Sequence, residues 1–368
     1  MDVITQGSIK NKILVGIIHQ LTMGGAERMM VNILNHFAKE GEEVHLIIFK
    51  NIGSLKELLE PSIIIHDLDA SSVKQSIPKC LLELYRLKPD TVFSGIGHVN
   101  IALAPFISMM RMFLPHTRWV SRETNIVSMQ NKHSKYPQVF DWLYRRVYKN
   151  YDVIIAQSED MRNDLQLNYP SSAAKTIVIN NPIDIDRVEM LSNEFDFKKI
   201  NLVNIGILRK TKRHDLMLQT LAKLPVNYNL LLVGDGEEEK CLKDLAEELG
   251  ITDRVTFEGH KTNPYPYMKK ADLFILTSEH EGFPNVLLEA NALGLPVIAF
   301  ACPGGITEIV KNGRNGFHVP NGNVDEMVAT IEKASTYEFD KEDIVAVTRE
   351  RYAHNVILEK YRKVFYEQ

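Results

Sequence analysis

Lys12-Ile-Leu-Val-Gly-Ile-Ile-His19 is an almost unbroken apolar run of strand length, the kind that a parallel sheet buries on both faces. A turn at Leu21–Gly25 follows it, then a helical stretch from Ala26 to about Lys39, then a second strand, Glu43–Phe49. Thr91–Ser94, Thr117–Ser121 and Val153–Ala156 continue the series, separated by helical stretches. The pattern restarts at Asn201–Ile205 and continues through Asn229–Val233, Val255–Glu258, Leu273–Thr277 and Pro296–Phe300. Alternation in two successive blocks predicts an α/β protein with a doubly wound parallel sheet in each half. The length agrees, since 368 residues are too many for one ordinary core and suit two domains. We place the first domain at residues 1–183 and the second at 184–348, with a linker in Val178–Asp186 and a last helix at 349–368. Ligands of such sheets bind beyond the C-terminal ends of the strands, so the loops there carry the functional reading.

Bulk properties narrow the class. A composition of 45% hydrophobic and 24% charged residues is that of a soluble globular protein. The formal charge of −4 supplies no global attraction to nucleic acid, and no RNA- or DNA-binding motif is present. Cys80, Cys241 and Cys302 are far apart and form no C-x-x-C pair, which fits a reducing cytosol and argues against a thiolate zinc site. The start, Met-Asp-Val-Ile-Thr-Gln, has no basic region before an apolar core, so no signal peptide is read. The longest apolar run, Ile101 to Leu114, contains Pro105 and Arg111 and is too short to span a bilayer. The expectation is a cytoplasmic protein whose membrane contact, if any, is peripheral.

The most telling loop is Glu281-Gly-Phe-Pro-Asn-Val-Leu-Leu-Glu289, after the Leu273–Thr277 strand. Pro284 suits the first helical position, because its missing N–H would be unpaired there and its φ is preset. The amides of Asn285, Val286 and Leu287 would then face outward at the positive end of the helix, ready for a diphosphate. Glu289 falls roughly 7.5 Å up the axis on the face shared with Asn285 and Val286, while Glu281 stays in the loop. The order is a hydroxyl acceptor, a phosphate cradle and a second hydroxyl acceptor, as a nucleoside diphosphate sugar requires. Two glutamates at this spacing also arise by chance in a Glu-rich chain.

The segment with its Gly-Phe-Pro-Asn insert resembles the E-x7-E signature of retaining GT-B glycosyltransferases of family 4, and the resemblance covers nearly the whole chain. It implies two Rossmann-like domains facing a central cleft, with the last helix returning to the first domain. It implies that Glu281 contacts the transferred sugar and that Glu289 holds the ribose, with Phe283 and Pro284 between them in the donor-binding segment. Thr22-Met-Gly-Gly-Ala-Glu-Arg28 resembles the family's GGAER loop, which puts Gly24 and Gly25 near the donor diphosphate and the acceptor. In Gly206-Ile-Leu-Arg-Lys-Thr-Lys212 the family's lysine falls on Lys212 and its arginine is replaced by Ile207. Arg209, in the same loop, is the natural substitute, because a guanidinium binds two phosphate oxygens. The resemblance gives Gly259, His260 and Lys261 backbone contacts to the nucleobase, and gives Gly234-Asp-Gly236 and Pro303-Gly-Gly-Ile-Thr-Glu308 shaping roles.

In the first half, His98 and the Arg122-Glu-Thr-Asn125 segment follow strands, which makes His98, Arg122, Glu123 and Asn125 candidates for positioning acceptor or sugar. The family often has a histidine where Arg122 or Glu123 stands. A structural histidine is an equal reading of His98. Asp67-Leu-Asp69 and Asp184-Ile-Asp186 fit turns and caps better than a metal site, so no metal and no cofactor is expected. Between residues 100 and 150, Arg111, Arg118, Lys132, Lys135, Arg145, Arg146 and Lys149 interleave with Met109, Met112, Phe113, Trp142 and other apolar residues. That mixture suits an anionic membrane surface or a polyprenyl-diphosphate acceptor as well as it suits ordinary helix packing. The resemblance therefore implies a retaining, metal-independent transfer of a hexose or N-acetylhexosamine from a UDP-linked donor to a lipid-linked glycan of a bacterial envelope. A soluble or protein acceptor, and a non-catalytic partner subunit, are the alternatives.

Overall fold

A computed structural model describes residues 12–22, 24–70, 72–132, 134–192 and 200–367. The N-terminal segment read for a signal peptide and Met23 of the glycine loop lie outside these residues. The chain forms two compact units, one made of the residues up to 156, 162–179 and those from 358 on, the other of 157–161 and 180–357. The expected boundary at 183/184 therefore falls a few residues late. Ile183 donates its N–H to the Tyr352 carbonyl (2.8 Å) and is buried in the second unit's core. The expected last helix is two helices, Lys341–Tyr352 and His354–Tyr366, interrupted where Ala353 turns extended (ψ 148°).

The first unit holds β1 (Ile13–Ile18), β2 (Glu43–Ile48), β3 (Ile64–Asp67), β4 (Thr91–Ser94), β5 (Arg118–Arg122), β6 (Val153–Ala156) and β7 (Thr176–Val178). They pair in the order β3-β2-β1-β4-β5-β6-β7, every pair parallel. The second holds β8 (Ile200–Ile205), β9 (Leu230–Val233), β10 (Val255–Gly259), β11 (Ala271–Leu276), β12 (Val297–Phe300) and β13 (Gly316–Val319). Their order is β10-β9-β8-β11-β12-β13, again parallel throughout. Both are the doubly wound Rossmann arrangement, with the strand order reversing beside the first strand of each sheet.

Parallel neighbours cannot be joined by a tight turn, so helices carry the crossovers and cover both faces of each sheet. In the second unit the consequence is explicit. Val203, Leu231 and Phe274 point into one core with Leu287 and Leu288, whereas Leu202, Leu230, Leu232 and Ile275 point into another with Leu218 and Ile331. Adjacent residues of one strand feed opposite cores, which is why β9 reads as an unbroken apolar run, Leu-Leu-Leu-Val. Helix starts are fixed locally. Asp184, Asn323 and Asp340 each accept an N–H from three residues on, at 3.1, 3.1 and 3.0 Å. The Asp184 reading as a cap thus matches its geometry.

The residues from 358 on complete the first unit. Tyr361 and Phe365 stack against Phe93 at 5.9 and 5.1 Å, and Phe365 lies 5.2 Å from Phe37. Thr91 donates its hydroxyl to the Phe365 carbonyl (2.7 Å). Among the described residues no helix is long and apolar enough to cross a membrane.

Candidate functional site

The second sheet reverses its strand order between β8 and β11, and the loops leaving those two strands bring the predicted residues together. Loop 206–213 leaves β8 and loop 277–284 leaves β11. Between them Lys212 Nζ donates to Glu281 Oε1 at 2.5 Å, with both side chains largely buried. Ser278, fully buried, donates its hydroxyl to the same Glu281 oxygen at 2.6 Å. Thr277 donates its hydroxyl to the carbonyls of Lys212 (3.2 Å) and Arg213 (2.9 Å). The Glu279 N–H reaches the Thr211 carbonyl at 2.9 Å. The two loops are thus stitched backbone to side chain, and a lysine and a glutamate 69 residues apart become one ion pair.

A third loop, after β12, braces Glu281 from below. Glu281 donates its N–H to the Pro303 carbonyl, and Gly305 donates to that of Gly282, both at 3.0 Å. Gly304 sits at φ +131°, where a Cβ would overlap the Glu281 carbonyl. The Gly304 N–H is itself held by the Asp160 carboxylate at 2.9 Å. Phe283 is buried 5.7 Å from the Tyr352 ring. After β9, Gly234 and Gly236 close against the backbone of Gly206 and Leu208, where side chains would overlap carbonyl oxygens. The Gly234 N–H donates to the Gly259 carbonyl at 2.9 Å.

The helix Asn285–Ala292 starts one residue later than expected. Pro284 is its N-cap, with extended backbone (ψ 100°), not its first helical residue. The Leu287 N–H is taken by the Pro284 carbonyl at 3.1 Å, so the amides left at this terminus for an anion are those of Asn285 and Val286. Asn285, Val286 and Glu289 share the partly exposed face, while Leu287 and Leu288 are buried. The Asn285 side-chain carbonyl accepts from Asn181 at 2.6 Å. Glu289 Oε1 lies 3.5 Å from the Tyr265 hydroxyl.

Arg209 is exposed beside Lys212, and Ile207 points to solvent at 60% exposure. His260 is exposed, and Lys261 pairs with Glu258 at 3.1 Å, a contact that raises its ammonium pKa. Burial, and then the charge of Lys212, lowers the His214 imidazole to about 4. That keeps it neutral against Asn204, whose Oδ1 lies 2.9 Å from its Nε2. Burial, and then the charge of Glu281, pushes the Cys302 thiol up to about 12, so it is no nucleophile at neutral pH.

In the first unit Gly24 caps the helix Gly25–Lys39 after β1. His98 opens the helix Gly97–Met110 after β4, its ring 5.2 Å from that of His19. Partial burial, and then His19, lower its pKa. Arg122 and Glu123 point inward. They are 1% and 0% exposed, which rules out direct contact with an acceptor in this packing. The Arg122 charge bears on the buried Tyr361 hydroxyl, and Glu123 accepts from Tyr148 and, at 2.9 Å, from Asn100. Burial raises the Glu123 carboxyl to about 7. Asn125 is partly exposed beyond β5.

Among the described residues no group of three or more His, Cys, Asp or Glu is placed to hold a metal ion. A cavity of about 540 Å³, lined by Asn201, Tyr228, Asp272, Pro296, Tyr337 and Lys341, opens at the other ends of the second sheet's strands. It contains none of the residues above. Sequence reading missed Thr277, Ser278, Tyr265 and Asn181. Only Ser278, one helical turn's distance before Glu281, carried a local signal.

Comparisons with known proteins identify the family and the fold. The family described as glycosyltransferase family 4 matches residues 23–187, and that described as glycosyl transferases group 1 matches residues 188–351. An uncharacterized glycosyltransferase of Haemophilus influenzae is 30% identical over 84% of this chain and 86% of its own length. So is the N-acetylgalactosamine-N,N'-diacetylbacillosaminyl-diphospho-undecaprenol 4-alpha-N-acetylgalactosaminyltransferase of Campylobacter jejuni, with the same identity and the same coverage. Anabaena HepE, crystallised with UDP, superposes with a TM-score of 0.79 at 22% identity, over 97% of this chain and 100% of its own. The chain therefore belongs to the group 1 glycosyltransferases and has their two-domain GT-B fold.

Proposed function

We propose that the protein transfers a hexose or N-acetylhexosamine, with retention, from a UDP-linked donor to a lipid-linked glycan in bacterial envelope polysaccharide synthesis. The observation that carries this is the Lys212–Glu281 pair at the strand-order reversal, with Glu289 on the helix that starts just beyond it. As the glycosidic bond breaks, the leaving diphosphate gains charge. Lys212, Arg209 and the amides of Asn285 and Val286 stabilise it selectively in the transition state. Glu281 orients the sugar and Glu289 the ribose. Gly24 and Gly25 border the diphosphate, and the loop Gly259–Lys261 borders the base. No metal is required, because those cations and amides neutralise the diphosphate. His98 and Asn125 contribute to positioning the acceptor.

Relatives whose names denote transfer to a diphospho-undecaprenol glycan, or to lipopolysaccharide, support the acceptor class. A solved neighbour bound to UDP supports the nucleotide. The exposed Met109 in the last turn of the first-unit helix Gly97–Met110 and Met112 and Phe113 just after it, with exposed Trp142 and the basic residues of this stretch of sequence, support peripheral contact with an anionic membrane at its cytoplasmic face. The decisive experiment is a panel of nucleotide sugars scored by nucleotide release with several acceptors, with and without EDTA. Turnover of UDP-sugars that survives EDTA is expected, and it should fall sharply in Glu289→Ala. Failure of UDP to bind in calorimetry would favour the non-catalytic alternative, and failure to float with anionic vesicles would remove the membrane proposal.

A further inference from the structure

We infer that the adjacent hydroxyls of Thr277 and Ser278 divide donor recognition between them, Thr277 holding the phosphate cation's loop and Ser278 holding the sugar carboxylate. The inference rests on the roles given above to Lys212 and Glu281. Both hydroxyls are buried, at 1% and 0% exposure, at the end of β11. They face different partners. Among the described residues Thr277 bonds to backbone on the β8 loop, the carbonyls of Lys212 and Arg213, so it sets where the Lys212 ammonium starts from. Ser278 bonds to Glu281 Oε1, the same atom that Lys212 holds.

That shared oxygen gives Ser278 its importance. Without donor, the Lys212 ammonium and the Glu281 carboxylate satisfy each other, and either would hold the other in place. A diphosphate brings competing anionic oxygens to Lys212, and the ammonium has only three donors to distribute. As Lys212 turns to phosphate, Glu281 loses its charge partner, and the 2.6 Å bond from Ser278 is what keeps the carboxylate aimed. Among the described residues the further anchor of Glu281 is its backbone, through its N–H to the Pro303 carbonyl. The loss of Ser278 thus acts on the sugar-dependent step, and the loss of Thr277 acts on nucleotide binding. Both are positioning residues, since neither hydroxyl is aimed at the donor itself.

The test uses the full-length protein, with UDP and UDP-N-acetylgalactosamine as probes. Thr277→Val, nearly isosteric, should raise the Kd for UDP about fivefold. Ser278→Ala should leave that Kd within about twofold and lower kcat for UDP release about tenfold, with little change in KM. In a Glu281→Ala background, adding Ser278→Ala should cost less than about twofold, because the group it positions is gone. A merely structural Ser278 would cost the same in both backgrounds, and that additivity would overturn the inference. So would a Ser278→Ala that weakens UDP as much as Thr277→Val does. If Ser278→Ala does not fold, Ser278→Cys and Ser278→Thr are scored by the same cycle. Wild-type protein that binds none of UDP, GDP and ADP would instead remove the donor reading, and this division with it.

Discussion

Lys212 and Glu281 form a pair that is only 19% and 11% exposed at its side chains, so neither charge can be removed without stranding the other in partly desolvated surroundings. Lys212→Ala should therefore do two things. It removes a charge-assisted bond to donor phosphate, which weakens UDP binding by about 10- to 100-fold in calorimetry. It also leaves Glu281 unpaired, so the melting temperature falls, and Glu281→Gln added to it should recover part of that fall. A double variant no more stable than Lys212→Ala would argue that Glu281 is satisfied without its lysine. Glu123 poses a different electrostatic problem. Its carboxyl is raised from 4.5 to about 7 by burial, against the opposing pull of Tyr148, Asn100, Tyr144 and Arg122. A carboxyl raised on folding binds more protons in the native state than in the unfolded one between those pH values. Stability then decreases as pH rises from about 4.5 to about 7 and levels off above, with about 3 kcal/mol at stake. Glu123→Gln should match wild type near pH 4 and exceed it at pH 8. Trp119 and Trp142 are the chain's two tryptophans and both belong to the first unit, so urea unfolding followed by their fluorescence reads this effect directly. A Glu123→Gln variant less stable than wild type at pH 8 would mean that the network holds the carboxylate charged.

At the scale of elements, the loop after β12 shows how a backbone feature reaches the chemistry. Gly304 has φ +131° and no room for a Cβ against the Glu281 carbonyl. Gly304→Ala should displace the Pro303–Gly305 loop, cost about 1–3 kcal/mol of second-unit stability, and lower turnover more than UDP affinity. Loss of UDP affinity with turnover per bound donor intact would place the strain elsewhere. The elements explain what could be read in advance. β1 and β6 were legible because both faces are buried, so Ile-Leu-Val-Gly-Ile-Ile and Val-Ile-Ile-Ala carry no polar side chain. β3 was not, because it is an edge strand of four residues, Ile-Ile-His-Asp, with a partly exposed pattern. β7 is three residues long and partly exposed, and β13, Gly-Phe-His-Val, mixes a glycine and a half-buried histidine into a four-residue strand. The same contrast holds at the site. Glu281, Pro284 and Glu289 lie in one segment with its own local signature, and Lys212 follows a strand whose place in the sheet was readable. Thr277 acts through a contact 64–65 residues away, and Asn181 reaches Asn285 from 104 residues away, distances at which one sequence carries no signal. Glu123 follows a strand as expected and Arg122 is that strand's last residue, one position earlier than expected, but strand position does not say which way a side chain turns.

At the scale of the molecule, the first unit cannot finish folding until the last residues of the chain exist. Its sheet is made by residue 178, yet Phe93 and Phe37 are covered by Tyr361 and Phe365, and Thr91 bonds to a carbonyl 274 residues later. Contacts of such separation incur loop-closure entropy before they return any stability, so docking of this segment should be late and slow. It is nonetheless indispensable. Leu358, Tyr361, Val364 and Phe365 are 0%, 0%, 8% and 2% exposed, and each fully buried side chain of this size contributes about 1.5–3 kcal/mol. Their sum, about 6–12 kcal/mol, is comparable with the whole stability of an ordinary domain. A chain ending at residue 357 should therefore lose the first unit. Trp119, 1% exposed in the intact protein, should show the emission of a solvated indole without denaturant. The second unit keeps its sheet, its two cores and the Lys212–Glu281 pair, so the truncated chain should still bind UDP within about tenfold of the intact protein. It should release no nucleotide from a UDP-sugar, since acceptor-side positioning is lost. If Trp119 emission stays that of a buried indole, the first unit's core closes without the chain terminus. If UDP binding disappears along with it, the two units do not hold their structures independently.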